Sequence, residues 1–202
     1  MNNQNIVSEN FLFPVFLKLE EMNVLLLGAG YVGVEKATTI LTNCPAVKLR
    51  IVSQQVSHDM RTLVALYPQV IIEERPYVET DLEGVQVLFV AINNKEYSAT
   101  IRHQAREKQI LVNVADTPHL CDFYMSSIVR KGHLKLAIST NGKSPTVAKR
   151  LKELLQDSLP DELDQLIKNL NAIRENLRGD FAYKVKKLND ITEPLKKDNT
   201  DH

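Results

Sequence analysis

The sequence has few cysteines, no excess of charge of either sign and no long apolar run. Its two cysteines, Cys44 and Cys121, are far apart, and neither belongs to a CxxC pair. This excludes a zinc knuckle and a disulfide framework, and it favours buried thiols. The 25 basic and 25 acidic residues cancel to a formal net charge of zero, so no overall field attracts nucleic acid or an anionic membrane. Any recognition of charge is therefore local.

Signals for export and for membrane insertion are also lacking. Residues 1–10 contain no basic segment followed by an apolar one, as a secretion signal would. The longest apolar runs, such as Val24–Leu27 and Val85–Ile92, are far shorter than the ~20 residues that span a bilayer. We therefore expect a cytoplasmic protein in a reducing environment. Its hydrophobic content of 44% over 202 residues is enough to form a core.

Apolar strand patterns alternate with amphipathic helix patterns through the first part of the chain. Strands are predicted at residues 23–27, 47–52, 69–73, 85–92 and 110–114, and helices at 31–43, 56–67 and 94–107. This alternation predicts an α/β fold with a Rossmann-like, doubly wound parallel sheet. Ligands of such sheets bind beyond the carboxyl ends of the strands.

The pattern changes after residue 115. Two short apolar segments, 123–129 and 133–139, flank Arg130-Lys131-Gly132 and predict an antiparallel β-hairpin. Ser144 and Pro145 then begin a helix. Two further helices are predicted at about 161–178 and 181–188, and residues 194–202 are predicted to be frayed. We therefore expect a Rossmann domain at 1–115, a hairpin segment at 116–143 and a helical C-terminal domain at 144–202.

A glycine-rich loop lies between the first predicted strand and the first predicted helix. Its sequence, Gly28-Ala29-Gly30-Tyr31-Val32-Gly33, has the GxGxxG pattern in the context that dinucleotide binding requires. Gly28 permits the tight turn, Gly30 lets backbone amides approach a pyrophosphate, and Gly33 lets helix and strand pack closely. The alternative is that the three glycines only make a turn. We assign Gly28, Gly30, Tyr31, Val32, Gly33 and Ala91 to cofactor binding.

The second strand lacks the acidic residue that usually holds the adenosine ribose. The chain reads Val52-Ser53-Gln54-Gln55 at that point, so Ser53 and Gln54 are the candidates to hydrogen-bond the ribose instead. No arginine occurs between Ser53 and Ser57 to pair with a 2′-phosphate. NAD is therefore favoured over NADP.

Three segments follow one another along the chain: the glycine loop, Asn113-Val114-Ala115-Asp116 closing the fifth strand, and 137–145 opening a helix. In this order they resemble the precorrin-2 dehydrogenase family, which includes the dehydrogenase and ferrochelatase domain of siroheme synthases. The resemblance covers about residues 12–170 and begins at Phe13-Pro14-Val15-Phe16. Ser126 departs from the family, where proline is usual, which puts the local backbone shape in doubt. No methyltransferase domain is expected to follow.

The resemblance implies an NAD-dependent oxidation of precorrin-2 to sirohydrochlorin on an intertwined homodimer, with the hairpin as the dimerisation segment. In some members, iron insertion follows. Asp116 matches the acidic residue that the family uses in both steps, and Thr140 matches a hydroxyl residue of the family. From the residues alone, two interpretations of Asp116 remain: a general base at the end of a strand, or a turn-forming residue before Thr117-Pro118.

A local excess of positive charge follows the predicted sheet. Between Phe123 and Lys152 there is no acidic residue and there are seven basic ones, Arg130, Lys131, Lys135, Lys143, Lys149, Arg150 and Lys152. A polycarboxylate tetrapyrrole requires such a basic wall, although a solvated helix face and hairpin tip would look the same. The candidate substrate-binding residues are Thr140, Asn141, Lys143, Ser144, Arg130 and Lys149.

No metal site or hydrolytic triad is indicated, because His58, His103, His119 and His133 are scattered without suitable partners. Three functions remain open. The first is an NAD-dependent precorrin-2 dehydrogenase, the second is a bifunctional enzyme that also inserts ferrous iron, and the third is an NAD-sensing module without chemistry. A sensor has no need of the basic segment, which favours the first two.

Overall fold

The structure is a computed structural model that describes residues 10–193. These residues form two compact units, residues 10–125 and residues 126–193. The predicted sheet forms the first unit, and the predicted hairpin and C-terminal helices form the second. Residues 194–202, predicted to be frayed, lie outside the described part of the chain.

The first unit contains a five-stranded parallel sheet in the order β3-β2-β1-β4-β5. Its strands are β1 (Asn23–Ala29), β2 (Lys48–Val56), β3 (Ile71–Glu74), β4 (Val87–Val90) and β5 (Leu111–Val114). The order in which the chain adds strands reverses at β1, and in such sheets this switch point opens a crevice at the carboxyl ends of the strands. The predicted doubly wound parallel sheet is confirmed.

Helices cover both faces of this sheet. They are α1 (Tyr31–Asn43), α2 (His58–Val64) and α3 (Lys95–Glu107). Leu26 of β1 is buried in one core layer with Ile40 of α1, and Leu27 is buried in the other layer with Ile101 of α3. Successive strand side chains point to opposite faces, so β1 contributes to both layers. Each fully buried side chain of this size contributes roughly 1.5–3 kcal/mol.

The boundary between β2 and α2 differs from the prediction. The strand was predicted to end at Val52 but continues to Val56, and the helix begins at His58 rather than at Val56. The Glu74 carboxylate of β3 accepts a hydrogen bond from the Val56 amide at 2.9 Å. Ser57 caps the helix by accepting from the Met60 amide at 3.2 Å. These two side chains determine where the strand ends and the helix starts.

The second unit consists of a hairpin followed by three helices, as the sequence predicts. The strands are β6 (Ser127–Lys131) and β7 (Leu134–Ile138), which pair antiparallel, and the helices are α4 (Pro145–Ser158), α5 (Leu163–Asn176) and α6 (Phe181–Thr192). The first hairpin strand was predicted to begin at Phe123, which is wrong. Phe123 and Met125 instead pack against the core of the sheet, with Phe123 edge to face on Phe89 at 5.5 Å.

Asp164 of α5 holds the turn of the hairpin. Its Oδ1 accepts from the His133 amide at 2.8 Å and contacts His133 Nδ1 at 2.7 Å. Its Oδ2 pairs with Lys168 at 2.7 Å. These hydrogen bonds, from Lys168 first and then from His133, hold the pKa of the Asp164 carboxyl well below its usual range. The turn is therefore fixed to the start of α5 by charge-assisted hydrogen bonds.

No helix between residues 10 and 193 is both long enough and apolar enough to cross a membrane.

Candidate functional site

The glycine loop is shaped by two glycines that pack against neighbouring backbone. Gly28 has a φ of +100°, and a Cβ atom there would collide with the carbonyl oxygen of Ala91. A Cβ atom on Gly33 would collide with the carbonyl oxygen of Gly28. Both positions therefore require glycine for reasons internal to the fold. The predicted tight turn and the predicted close packing of α1 on β1 are both present.

Gly30 differs, because a Cβ atom there would meet nothing within 4 Å. It is the N-cap residue of α1, where no side chain caps the helix, and the first turn of α1 contains no acidic residue. The first amides of a helix have no partners within the helix, and they attract anions. The loop thus presents an open, anion-attracting surface, which fits the pyrophosphate of a dinucleotide.

A cavity of about 700 Å³ opens at this surface. It is lined by residues 28–30 of the glycine loop, residues 52–57 at the carboxyl end of β2, residues 91–94 after β4, and Tyr77 and Tyr97. None of these lining residues is Asp, Glu, Lys or Arg. Of the predicted cofactor residues, the structure brings Gly28, Gly30, Ser53, Gln54 and Ala91 together around the cavity. The size and the neutral lining suit the adenosine half of a dinucleotide.

The Ser53 hydroxyl is already used by the protein. It accepts from the Ala29 amide at 3.1 Å and donates to the Gln55 carbonyl at 2.7 Å. Ser53 thereby ties the end of β2 to the glycine loop, and its oxygen keeps one acceptor position for a ligand. The neighbouring Gln54 is exposed at the cavity rim, so it is the more available of the two predicted ribose partners.

Three other predicted cofactor residues do not line the cavity. Tyr31 is 77% exposed at the start of α1, Val32 is half-buried beside it, and Gly33 is buried under the loop. Only their backbone amides face the region where an anion would be held, since Tyr31, Val32 and Gly33 form the first turn of α1.

An aromatic pair in the cavity wall was missed by the sequence analysis. Tyr77 and Tyr97 pack edge to face with ring centroids 6.2 Å apart. The Tyr77 hydroxyl donates to Gln104 Oε1 at 2.9 Å, and burial raises the pKa of Tyr77 to about 12. The position of Tyr97, five residues after the end of the predicted strand 85–92 and inside the predicted helix 94–107, was the available signal.

Asp116 is exposed directly beyond the carboxyl end of β5, with a φ of +53°. This left-handed conformation is uncommon outside glycine, although Asp tolerates it better than most residues. The following segment folds back along β5: the Val112 amide donates to Asp122 Oδ2 at 2.9 Å, and the Val114 amide donates to Cys121 Sγ at 3.2 Å. Burial raises the pKa of the Cys121 thiol, so this contact involves a protonated sulfur.

Lys36 of α1 is a second residue that sequence analysis missed. Its ammonium donates to Oδ1 of Asn113, a buried residue of β5, at 2.6 Å. Burial lowers the pKa of Lys36, and nearby Cys121, Asp116 and Glu35 oppose that shift in decreasing order. No sequence pattern marks this lysine, because its partner is 77 residues away.

The second unit contains every residue predicted to bind substrate. The Thr140 hydroxyl accepts from the Ser144 amide and donates to the Ser144 carbonyl, both at 3.1 Å. Ser144 caps α4 by accepting from the Val147 amide at 3.2 Å, as predicted. Asn141 has a φ of +54° in the turn before α4, and Lys143 is exposed there. Thr140 to Ser144 thus form one compact turn at the N-terminus of α4.

The remaining basic residues lie on the hairpin and on α4. Arg130 and Lys135 are directly opposite each other in the β6–β7 register, and both are exposed. This register brings two positive charges close together on the hairpin. Lys149 is exposed on α4. Lys131 pairs with Asp161 at 2.5 Å, and Arg150 pairs with Glu153 at 2.7 Å.

Within residues 10–193, no group of three or more His, Cys, Asp or Glu side chains is arranged to hold a metal ion.

Comparison with known proteins relates both units to one family. A family model described as "Putative NAD(P)-binding" matches residues 15–127, more than half of the chain. A second model, described as "Sirohaem biosynthesis protein central", matches residues 131–158. The siroheme synthase of Psychrobacter cryohalolentis is 32% identical over 176 residues, which are 87% of this chain and 32% of that protein. The siroheme synthase of Pseudoalteromonas atlantica is 31% identical over 169 residues, 84% of this chain and 36% of that protein.

A solved structure has the same fold. It is that of SirC, precorrin-2 dehydrogenase, with a TM-score of 0.71 and 22% identity over 93% of both chains. The chain spans about a third of the length of the curated relatives that it matches. The two family matches lie in succession along the chain, on the sheet with its glycine loop and on the hairpin with α4. The chain therefore belongs to the family described as putative NAD(P)-binding, and its two successive matches make it similar to a part of the siroheme synthases.

Proposed function

We propose that this protein is an NAD-dependent dehydrogenase that oxidises precorrin-2 to sirohydrochlorin in siroheme biosynthesis. The observation that carries the proposal is the glycine-loop cavity, which opens at the same sheet edge as the carboxyl end of β5, where Asp116 lies. The siroheme synthase relatives and the precorrin-2 dehydrogenase fold support the choice of reaction. A hydride acceptor and a base are the two components that such an oxidation needs.

The protein's own residues suit NAD. The uncapped amides of Tyr31, Val32 and Gly33 would hold the pyrophosphate, and Gln54 with Ser53 would hold the adenosine ribose. The cavity lining contains no Lys or Arg that would pair with a 2′-phosphate, which favours NAD over NADP. When bound, the nicotinamide ring accepts the hydride.

Asp116 is proposed as the general base. Oxidation of precorrin-2 removes a hydride and a proton from the macrocycle, so two electrons leave with the hydride and a protein group collects the proton. Asp116 is exposed to a bound substrate, and its backbone position is fixed by the segment that folds back on β5. The same carboxylate would orient the pyrrole nitrogens.

The basic residues of the second unit are proposed to bind the substrate's carboxylates. Arg130 lies opposite Lys135 on the exposed face of the hairpin. Lys143 lies in the turn before α4, and Lys149 lies in the first part of α4. A tetrapyrrole with many carboxylates would offset this concentration of positive charge. Thr140, Asn141 and Ser144 would contribute the shape of the turn and the N-terminus of α4.

We also propose that the protein acts as a homodimer in the cytoplasm. Val147, Leu151 and Leu154 recur at helical spacing on α4, and they are 49%, 41% and 60% exposed. A second copy of the chain would cover this apolar stripe. Cys44 and Cys121 are not joined in a disulfide, which suits a reducing compartment. Sedimentation at micromolar concentration should give a dimer, and Leu151→Glu should shift it to monomer without loss of NAD binding. A wild-type monomer would contradict the dimer.

The proposed reaction is tested with purified protein, precorrin-2 and NAD under anaerobic conditions. We expect Asp116→Ala to lower kcat at least about 100-fold, the contribution typical of a general base, while NADH binding measured by fluorescence is unchanged. Asp122→Ala, which removes a structural carboxylate of the same segment, is the matched control for loop distortion. Full turnover by Asp116→Ala would remove this residue from the mechanism. Sirohydrochlorin incubated with ferrous iron, against a no-enzyme control, tests the alternative bifunctional enzyme.

A further inference from the structure

Lys36 is a half-buried cation that the proposed chemistry does not yet use. It lies in the second turn of α1, and its ammonium contacts the Asn113 side-chain oxygen at 2.6 Å and the Met125 sulfur at 3.8 Å. Among residues 10–193, no carboxylate oxygen lies within ion-pair distance of this ammonium. Burying a charge without an ionic partner costs free energy. Another role of Lys36 in the protein would therefore have to offset the cost of burying its ammonium group.

The contacts of Lys36 join three segments at the end of the sheet. Asn113 precedes Asp116 by three residues on β5, and its side-chain nitrogen donates to the Phe123 carbonyl at 2.9 Å. Met125 and Phe123 belong to the segment that folds back over the sheet after Asp116. Lys36 therefore connects α1 both to the strand before Asp116 and to the segment after it.

This connection bears directly on the conformation of Asp116. The backbone at Asp116 is left-handed, with a φ of +53°, which is unfavourable for residues other than glycine. Such a conformation persists only where surrounding contacts fix it. The contacts from Lys36 to Asn113 and from Asn113 to Phe123 restrain the chain on both sides of Asp116. In addition, Asp116 is near enough to act on the ammonium through its charge.

We propose that Lys36 is a positioning residue for Asp116: through Asn113 it holds both the end of β5 and the returning segment. This inference rests on the proposed function, because it assigns a role to Lys36 through the catalytic role of Asp116. A lysine with only a packing role would contribute its aliphatic stem, which methionine can replace.

The test compares Lys36→Met and Lys36→Arg with Lys48→Met, which removes an exposed lysine of β2 as the matched control. We expect Lys36→Met to lower kcat at least about tenfold, which corresponds to about 1.4 kcal/mol, with KM and NADH binding nearly unchanged. Lys36→Arg should recover most of the lost rate, because it restores the charge. Thermal unfolding of each variant identifies any loss of fold.

The pH profile separates a charge role from a packing role. Asp116, Cys121 and Glu35 are the ionisable groups that act on Lys36, and burial lowers the pKa of Lys36 despite them. The wild-type kcat should therefore fall at alkaline pH as the ammonium loses its proton. This alkaline decrease in kcat should be absent in Lys36→Arg, since arginine stays protonated. A decrease that persists in Lys36→Arg would come from another ionisable group and would overturn the inference.

A second readout does not depend on activity. Acylation of lysines at increasing pH, quantified by peptide mass spectrometry, should give Lys36 a midpoint below the ordinary lysine pKa once accessibility is normalised. Turnover of Lys36→Met equal to wild type, or loss of fold in both Lys36 variants, would overturn the role of Lys36 but not the proposed function. Absence of turnover in the wild-type protein would instead overturn the proposed function and, with it, the role of Lys36.

Discussion

The two units of this protein differ in how much apolar surface they bury. In the first unit, Leu25, Leu26 and Leu88 have no exposed surface, and both faces of the sheet carry a continuous core. Among residues 126–193, only Val129 and Ala148 are buried, and Leu154 is 60% exposed. The first unit therefore supplies its own stability. The second retains apolar surface that its own chain does not cover, which supports the proposed homodimer.

The largest expected effect comes from matched leucine truncations in the two units. Leu26→Ala should lower the free energy of unfolding by about 2–5 kcal/mol, because it leaves a cavity in a closed core. Leu154→Ala should change the free energy of unfolding of the monomer by less than about 0.5 kcal/mol, as expected for an exposed position. Urea denaturation at low protein concentration measures both changes. Equal losses from the two substitutions would remove the distinction between the units.

The first unit is also the part that sequence reasoning predicted best. The glycine loop marked the start of α1 and Pro45 marked its end, so the predicted and observed helices coincide at Tyr31–Asn43. The signal there is local, since strand, glycines and helix are contiguous. The hairpin was predicted to start at Phe123 because its apolar residues resemble a strand. In the structure, Phe123 and Met125 pack against the core of the sheet. This is a tertiary contact, which local sequence patterns do not contain.

The candidate site shows the same limit. Gly28, Gly30, Ser53, Gln54 and Ala91 were placed around one cavity from motif and strand order alone. The internal use of the Ser53 hydroxyl and the bond between Lys36 and Asn113 could not be predicted, because they join residues 24 and 77 positions apart. Such contacts depend on how helices and strands pack, and this packing cannot be predicted from side-chain patterns along the chain.

A pH experiment sharpens the contrast between internal and exposed charge. Asp81 in the first unit is 4% exposed and pairs with Arg75 and Arg50. Its hydrogen bonds from Arg75 lower the pKa of Asp81 to about 2, below its unfolded value near ~3.9. The resulting stability is present above the unfolded pKa and is lost as the pH falls through the folded one.

We expect the first unit to lose about 2 kcal/mol of stability between about pH 4 and pH 2 from this carboxyl group. Asp81→Asn should be less stable at neutral pH and should lack this part of the acid dependence. Urea denaturation of both proteins across that range measures the difference. An identical acid dependence in Asp81→Asn would show that other carboxyl groups are responsible.

Gly30→Ala is expected to change stability least, and it separates NADH binding from folding within the first unit. Gly30→Ala adds a Cβ atom that meets no protein atom, so thermal unfolding should be nearly unchanged. NADH binding should weaken at least about tenfold, or about 1.4 kcal/mol, because the methyl group faces the expected pyrophosphate. Gly33→Ala is the comparison, since its Cβ would collide with the Gly28 carbonyl and should lower stability as well as binding. Unchanged NADH binding in Gly30→Ala would place the dinucleotide elsewhere.

We propose that the glycine-loop cavity of the first unit holds the NAD that oxidises precorrin-2 and that Asp116 collects the proton. The most direct measurement follows reduced nicotinamide and sirohydrochlorin together, by absorbance, after the wild-type protein is mixed anaerobically with precorrin-2 and NAD. Both products should form in equal amounts and only when enzyme is present. Tight NAD binding without either product, at any substrate concentration, would contradict the proposed reaction and would leave a nucleotide-binding module without this chemistry.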